Sequence, residues 1–158
     1  MVSKEVLYKF RFIILILSLT AIDLFSKNLA VIYLIYGQTE PTIFPFIDFL
    51  LIYNSGIAFG IFDSDNSLNS QILLLVTLAI SFYLIWMIAS EDILKKKYAL
   101  SIITAGAYGN IIDRAIDNKV TDFLHLEILD FSFFIFNLAD AFITIGAILL
   151  IYLSLIHI

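Results

Sequence analysis

The chain contains no cysteine, which excludes a disulfide framework, a thiol nucleophile and a thiolate-held metal. Its two histidines, His125 and His157, lie far apart and form no ligand motif, so a transition-metal centre is not expected. Basic residues are scarce: nine Lys and Arg stand against fourteen Asp and Glu, for a net charge of −5. Those few sit at the ends of apolar segments, so the chain has no footprint for nucleic acid. Charged residues of both signs make up only 15% of the sequence, below the usual share of a soluble domain.

Apolar residues fill the space that the missing charges leave. They are 61% of the 158 residues, and the mean hydropathy is +1.01. Several apolar runs approach the ~20 residues that a bilayer crossing needs, so the chain reads as an integral membrane protein. The length allows one small bundle, residues 1–158, rather than two domains. No repeat or low-complexity tract is present.

The first apolar run follows Lys4, Lys9 and Arg11, as in a secretory signal. It is too long for one, however, and Asp23 and Lys27 interrupt it without a small-residue cleavage site, so a retained first span is expected at about 10–30. Gly37, Pro41, Pro45, Gly56 and Gly60 then punctuate short β-branched and aromatic runs, which suggests a small sheet on the membrane surface within about 37–69. A second span is expected at about 70–90. A third, rich in Ala, Gly and Ser as where helices approach closely in lipid, is expected at about 98–116. Residues 117–132 read as a polar loop, and a fourth span is expected at about 133–156.

Lys4, Lys9, Arg11, Lys95, Lys96 and Lys97 place the amino terminus and the 91–97 loop in the cytoplasm, and four spans return the carboxyl terminus there. The final LSLIHI carries no basic residue to help orient the last span. With this topology Asp23, Lys27, Asn110, Asp113, Arg114, Asn137 and Asp140 collect toward one membrane face, the outer one. Ionisable groups at membrane depth are costly and mark function.

Two carboxylates, Asp122 in the connection and Asp140 in the last apolar run, have enough chain between them to meet. Acids held about 3 Å apart cannot both ionise and share one proton. The ionised member can then activate water while the protonated one polarises a carbonyl. The alternative is a solvated loop acid and a hydrogen-bonded structural one. Asp23 and Lys27, at i and i+4, form an ion pair or brace the site. Ser26 beside Lys27 points about 100° away around the helix, so the two are not a nucleophile and its base. Asn110, Asp113 and Arg114 share a helical face, most simply as an Asp–Arg clamp with an amide beside it. Asn54-Ser-Gly56 reads as a turn, or as an asparagine aimed at substrate. His125 reads as a surface residue of the loop.

The blocks DLFSK (23–27), NSGIAFG (54–60), AGAYGNIIDR (105–114), VTDF (120–123) and FNLADAFITIG (136–146) together resemble the ordered motifs of lipoprotein signal peptidase, or signal peptidase II. Each block is weak alone, but their order along the whole chain is highly specific. The resemblance implies an all-α membrane fold of four transmembrane helices with a small extracytoplasmic β-cradle at about 40–65 and a mobile outer loop at about 115–132. It implies a monomeric, cofactor-free aspartyl endopeptidase of the bacterial cytoplasmic (inner) membrane. Its partners would be membrane lipid and diacylated prolipoproteins, cut just before the lipidated cysteine. Carried over by position, Asp122 and Asp140 are the catalytic pair. Asp23, Lys27, Asn54, Gly56, Gly106, Asn110, Asp113, Arg114, Asn137 and Ala139 match positions that line or support the site. Ala105 departs from the usual Gly-Gly, without removing a polar group.

Two other classes are compatible with buried acids in a small bundle. A proton- or cation-coupled transporter would place its acids near the midplane in repeated halves, and no repeat is visible here. A scaffold or insertion factor would use the same polar residues only to hold helices together.

Overall fold

In a computed structural model, residues 4–56, 67–129 and 131–156 are described. Three long helices carry enough apolar surface to cross a membrane: Phe10–Tyr33, Leu68–Ser90 and Leu138–Leu155, with mean hydropathies of 1.7, 2.5 and 2.1. Their outward faces carry Leu17, Phe25, Leu75, Phe82, Ile148 and Ile151, all exposed. In water such a surface would be prohibitive; in lipid it is the expected solvent-facing side.

The elements run α1 (Lys4–Tyr33), β1 (Thr39–Glu40), β2 (Ile47–Asn54), α2 (Ser67–Ser90), α3 (Leu94–Asp117), β3 (Val120–Ile128), β4 (Phe131–Phe136) and α4 (Leu138–Leu155). α3 covers the expected third span, yet it is too polar to be one of the three apolar helices. Its position explains this, because α1, α2 and α4 all pack against it. Ala99, Leu100, Thr104, Ala105, Gly106 and Gly109 are buried along it. A Cβ at Gly106 would strike the Ala139 carbonyl oxygen, and one at Gly109 would strike the Asp23 carboxylate. Small residues thus let three helices approach the central one closely, and its polar groups face protein rather than lipid.

The four strands form one antiparallel sheet in the order β1-β2-β3-β4. Bulges interrupt the register between Phe49 and Ile52 on β2 and opposite Leu126/Glu127 on β4, while β3 runs regularly. Leu51 and Phe123 of the sheet pack on Ala30 of α1, with Leu34, Leu124 and Leu138 around them. This small core fixes the sheet at one end of the bundle, where α1 ends and α4 begins.

The sheet differs from the sequence expectation in its second half. Residues 117–132 are not a loop: they hold the end of α3, all of β3 and the start of β4. The expected fourth span also begins too early, because Phe131–Phe136 is a strand and α4 starts at Leu138. An unbroken apolar run such as FFIF carries no period that separates strand from helix. Asp122, His125 and Glu127 made the preceding segment look solvated, although Asp122 and His125 are buried. Of the cradle segment expected at about 40–65, residues 40–56 hold the end of β1 and all of β2, and residues 57–65 lie outside the described residues.

Candidate active site

The site is built around the first turn of α4. Asn137 is its N-cap, in extended conformation (φ −130°, ψ −178°), and is fully buried. Its Oδ1 accepts from the Asp140 backbone N–H at 3.0 Å, and the Asp140 Oδ2 accepts from the Asn137 backbone N–H at 3.2 Å. This reciprocal box satisfies two donors that a helix start leaves open. The remaining Asn137 amide donates to Asp122 Oδ1 at 2.6 Å and to Asn110 Oδ1 at 3.2 Å. One asparagine therefore holds both candidate carboxylates, and each of its polar atoms has a partner.

Asp122 lies on β3 opposite Ile52 of β2 and is 3% exposed. Its Oδ2 accepts from Asn54 Nδ2 at 3.0 Å. Burial pushes the carboxyl up from 3.8 to about 7, and the nearby Asp140 charge pushes the same way. Hydrogen bonds from Asn54 and Asn137 and the Lys27 charge oppose the rise without cancelling it. Asp122 is therefore protonated more readily near neutral pH than an ordinary aspartate. Asp140 is less enclosed and accepts a further hydrogen bond from Asn110 Nδ2 at 2.9 Å.

Beneath these acids lies a buried ionic layer. Lys27 Nζ sits 2.9 Å from Asp23 Oδ2 and 3.5 Å from Asp113 Oδ2, and donates to Asn110 Oδ1 at 2.8 Å. Asp23 Oδ1 accepts the Ala139 backbone N–H at 2.8 Å, which uses another open donor of α4. Asp113 Oδ2 accepts the Thr121 backbone N–H at 2.7 Å, so the turn from α3 into β3 is pinned to the same layer. Asn118 closes α3 in the left-handed conformation (φ 57°) that asparagine tolerates. Arg114 Nη2 donates to the Gly56 carbonyl at 2.8 Å and ties α3 to the end of β2.

Every candidate residue is described, and the structure brings all of them to the end of the bundle that carries the sheet. Two readings are corrected. Asp113 pairs with Lys27 and Thr121, whereas Arg114 grips a backbone carbonyl, so the two are not an Asp–Arg clamp. Asp23 and Lys27 do form the ion pair that their i, i+4 spacing allows, and it is buried. His125 is 5% exposed and lies inside a strand, not on a surface loop. Asn54 forms the expected turn, its Oδ1 accepting the Gly56 N–H at 3.0 Å, and its Nδ2 donates to Asp122. Ser26 Oγ donates to the Asp23 carbonyl, a local helix contact.

Sequence reasoning missed Thr121, Gly109 and Thr20. Thr121 acts largely through its backbone, and Gly109 through the space it leaves for the Asp23 carboxylate. Thr20 Oγ1 donates to the carbonyl of fully buried Ala105 at 3.0 Å. None of these three leaves a charge pattern that spacing could reveal.

Asp122, Asp140, Asn54, Asn110 and Arg114 line one cavity of about 820 Å³, walled on its other sides mainly by apolar residues of β4, α2 and α4 such as Phe133, Leu73 and Ile143. An apolar cleft with a few convergent polar groups, one of them a shifted acid, has the character of a substrate site.

The family model described as signal peptidase (SPase) II matches residues 15–156. Among curated proteins, the lipoprotein signal peptidase of Pelagibacter ubique (strain HTCC1062) is 37% identical over 133 residues, 82% of this chain and 79% of the relative. That of Methylorubrum extorquens (strain PA1) is 37% identical over 149 residues, 90% of this chain and 84% of the relative. That of Francisella tularensis subsp. novicida (strain U112) is 35% identical, covering 93% and 92%. Two solved structures of a bacterial membrane enzyme, obtained in meso at 2.3 and 1.9 Å, superpose with TM-scores of 0.81 and 0.79. They share 28% and 29% identity and 92% of this chain, with 87% and 92% of their own length covered. Matched by that family model over most of its length and more than 30% identical to these relatives, the chain belongs to the signal peptidase II, or lipoprotein signal peptidase, family.

Proposed function

We propose that this protein is an aspartyl endopeptidase that removes the signal peptide from diacylglyceryl-modified prolipoproteins, cutting before the lipidated cysteine. The observation that carries the reading is Asn137, which binds Asp122 through its side chain and Asp140 through its backbone, the two acids both lining the cavity.

Asp122 holds the shared proton and Asp140 is the base. The Asp140 carboxylate takes a proton from water as the water oxygen attacks the scissile carbonyl. Asp122 donates its proton to the carbonyl oxygen, giving a neutral tetrahedral diol. In the collapse Asp122 takes back a hydroxyl proton, the C–N bond breaks, and Asp140 gives its proton to the leaving amine. Water has then been added across one amide bond and both acids are reset. Asn54, Asn110 and Asn137 supply fixed N–H donors, so the pair needs no reorganisation during the reaction. Acyl chains can stay in lipid, because the cavity is walled by apolar side chains of helices that also face outward.

α3 serves as a fourth crossing, with both termini in the cytoplasm of a bacterial inner membrane and the site at the outer surface. Support comes from the opposite end of the bundle. Arg11 Nη1 donates to Tyr98 Oη at 3.3 Å, so the basic start of α1 lies beside Lys95–Lys97 at the end of α3 away from the sheet.

The test is cleavage of a purified diacylglyceryl-modified prolipoprotein in detergent, with the new amino terminus read by mass spectrometry. The expected product begins at the lipidated cysteine. Normal cleavage by Asp140→Asn would overturn the mechanism, and a cut elsewhere would overturn the specificity.

A further inference from the structure

The opposite face of the sheet carries a second cluster that the cleavage chemistry does not use. Asp48 of β2 and His125 of β3 are direct cross-strand partners, and Glu127 is two residues further along β3. Because β3 runs regularly, His125 and Glu127 share a face and Asp122, an odd number of residues away, lies on the other. One donor atom from each of Asp48, His125 and Glu127 lies within 4.8 Å of the others.

His125 supplies the independent sign of a ligand. It is 5% exposed, and its Nδ1 has no hydrogen-bond partner among the described residues. The nearest acid oxygen, Glu127 Oε2, is 3.6 Å away, beyond the range of an N–H···O bond. Buried ring nitrogens are normally satisfied. The other nitrogen, Nε2, lies 2.7 Å from Ser132 Oγ on β4. With Nε2–H donated to Ser132, the Nδ1 lone pair faces the two carboxylates. A metal-bound histidine is oriented in this way, with the second ring nitrogen held by a hydrogen bond.

We propose that Asp48, His125 and Glu127 bind one borderline divalent transition cation, with zinc as the probe. One imidazole and two carboxylates suit such an ion, whereas calcium and magnesium favour oxygen alone. Bonds of about 2.1 Å in a tetrahedral set need donors about 3.4 Å apart, so small side-chain rotations close the site. The ion clamps β2 to β3 and leaves a coordination position for water. This proposal is independent of the cleavage reading, since no residue is shared with that site.

The experiment uses the full chain in detergent, stripped with a chelator and dialysed against zinc, with bound metal and Tm measured together. The expected result is one zinc per chain, a higher Tm with zinc, and no rise with calcium. His125→Gln reduces binding to background, Asp48→Asn and Glu127→Gln each weaken it, and Ser132→Ala weakens it about tenfold. The metal-free Tm of each variant reports its folding, and the two carboxylate variants decide the matter if His125→Gln does not fold. The proposal is overturned by a wild-type chain that binds no zinc, by zinc binding that survives all three ligand substitutions, or by an equal Tm rise with calcium.

Discussion

The Asn137 side chain donates to Asp122 Oδ1 over 2.6 Å, joining a strand to the first turn of a helix fifteen residues later. The same residue caps α4 and receives the Asp140 backbone N–H. Folding of the helix start and placement of the two acids are therefore one event. Asn137→Ala is expected to cost about 1–2 kcal/mol through the lost cap. It should also reduce kcat by about 10–100-fold by freeing both acids. Tm and single-turnover cleavage, measured on the same sample, separate the two effects.

Asp122→Asn and Asp140→Asn should each lower cleavage by at least about a thousandfold, because neither acid can replace the other in a proton-sharing pair. Circular dichroism should be unchanged. In Asp122→Asn one amide hydrogen faces the N–H donors of Asn54 and Asn137, so a Tm loss of a few degrees is expected from one unpaired donor. Cleavage at the wild-type rate by either variant would remove that residue from the mechanism.

The raised Asp122 carboxyl makes a signed prediction about pH. Its folded value of about 7 lies above the ordinary 3.8, so the native chain binds more protons than the unfolded chain between these values. Its contribution is fully present below the unfolded value and is lost as pH rises through about 7. The loss is at most about 4 kcal/mol. Tm of the wild type should fall over this window, and Asp122→Asn should flatten the slope. The cleavage rate should also fall above about pH 7, where Asp122 loses the proton the reaction needs.

Lys27 is 3% exposed and neutralises Asp23 and Asp113 from within the bundle. Lys27→Met leaves two buried acids without a cation and should destabilise by about 3–5 kcal/mol. Adding Asp23→Asn and Asp113→Asn should recover much of that loss. A single Lys27→Met variant with wild-type Tm would show that the layer is not ionic.

Gly106 faces the Ala139 carbonyl oxygen and Ile143 with no room for a Cβ. Gly106→Ala must push α4 away from α3, with an expected cost of about 1–3 kcal/mol. Because Asn110 of α3 donates to Asp140 of α4, the same shift should slow cleavage. A variant that loses Tm but keeps kcat would show that this hydrogen bond tolerates the displacement.

Composition and spacing alone determined that the chain lives in lipid, where its apolar runs lie, and that its polar residues gather toward one face. Those properties follow from burial costs that act residue by residue. Asp140 is conspicuous as a charge in an apolar run, whereas Asp122 in the connection is singled out as its partner by the resemblance of the motif order. Only the tertiary structure decided that residues 120–136 are half of a sheet rather than a loop and the start of a helix. Strand pairing depends on partners distant in sequence, and FSFFIF carries no period to announce it. Likewise Lys27 meets Asn110 and Asp113 across more than eighty residues, and His125 meets Asp48 across a strand register. Such pairings are set by helix packing and strand alignment, so no local pattern records them.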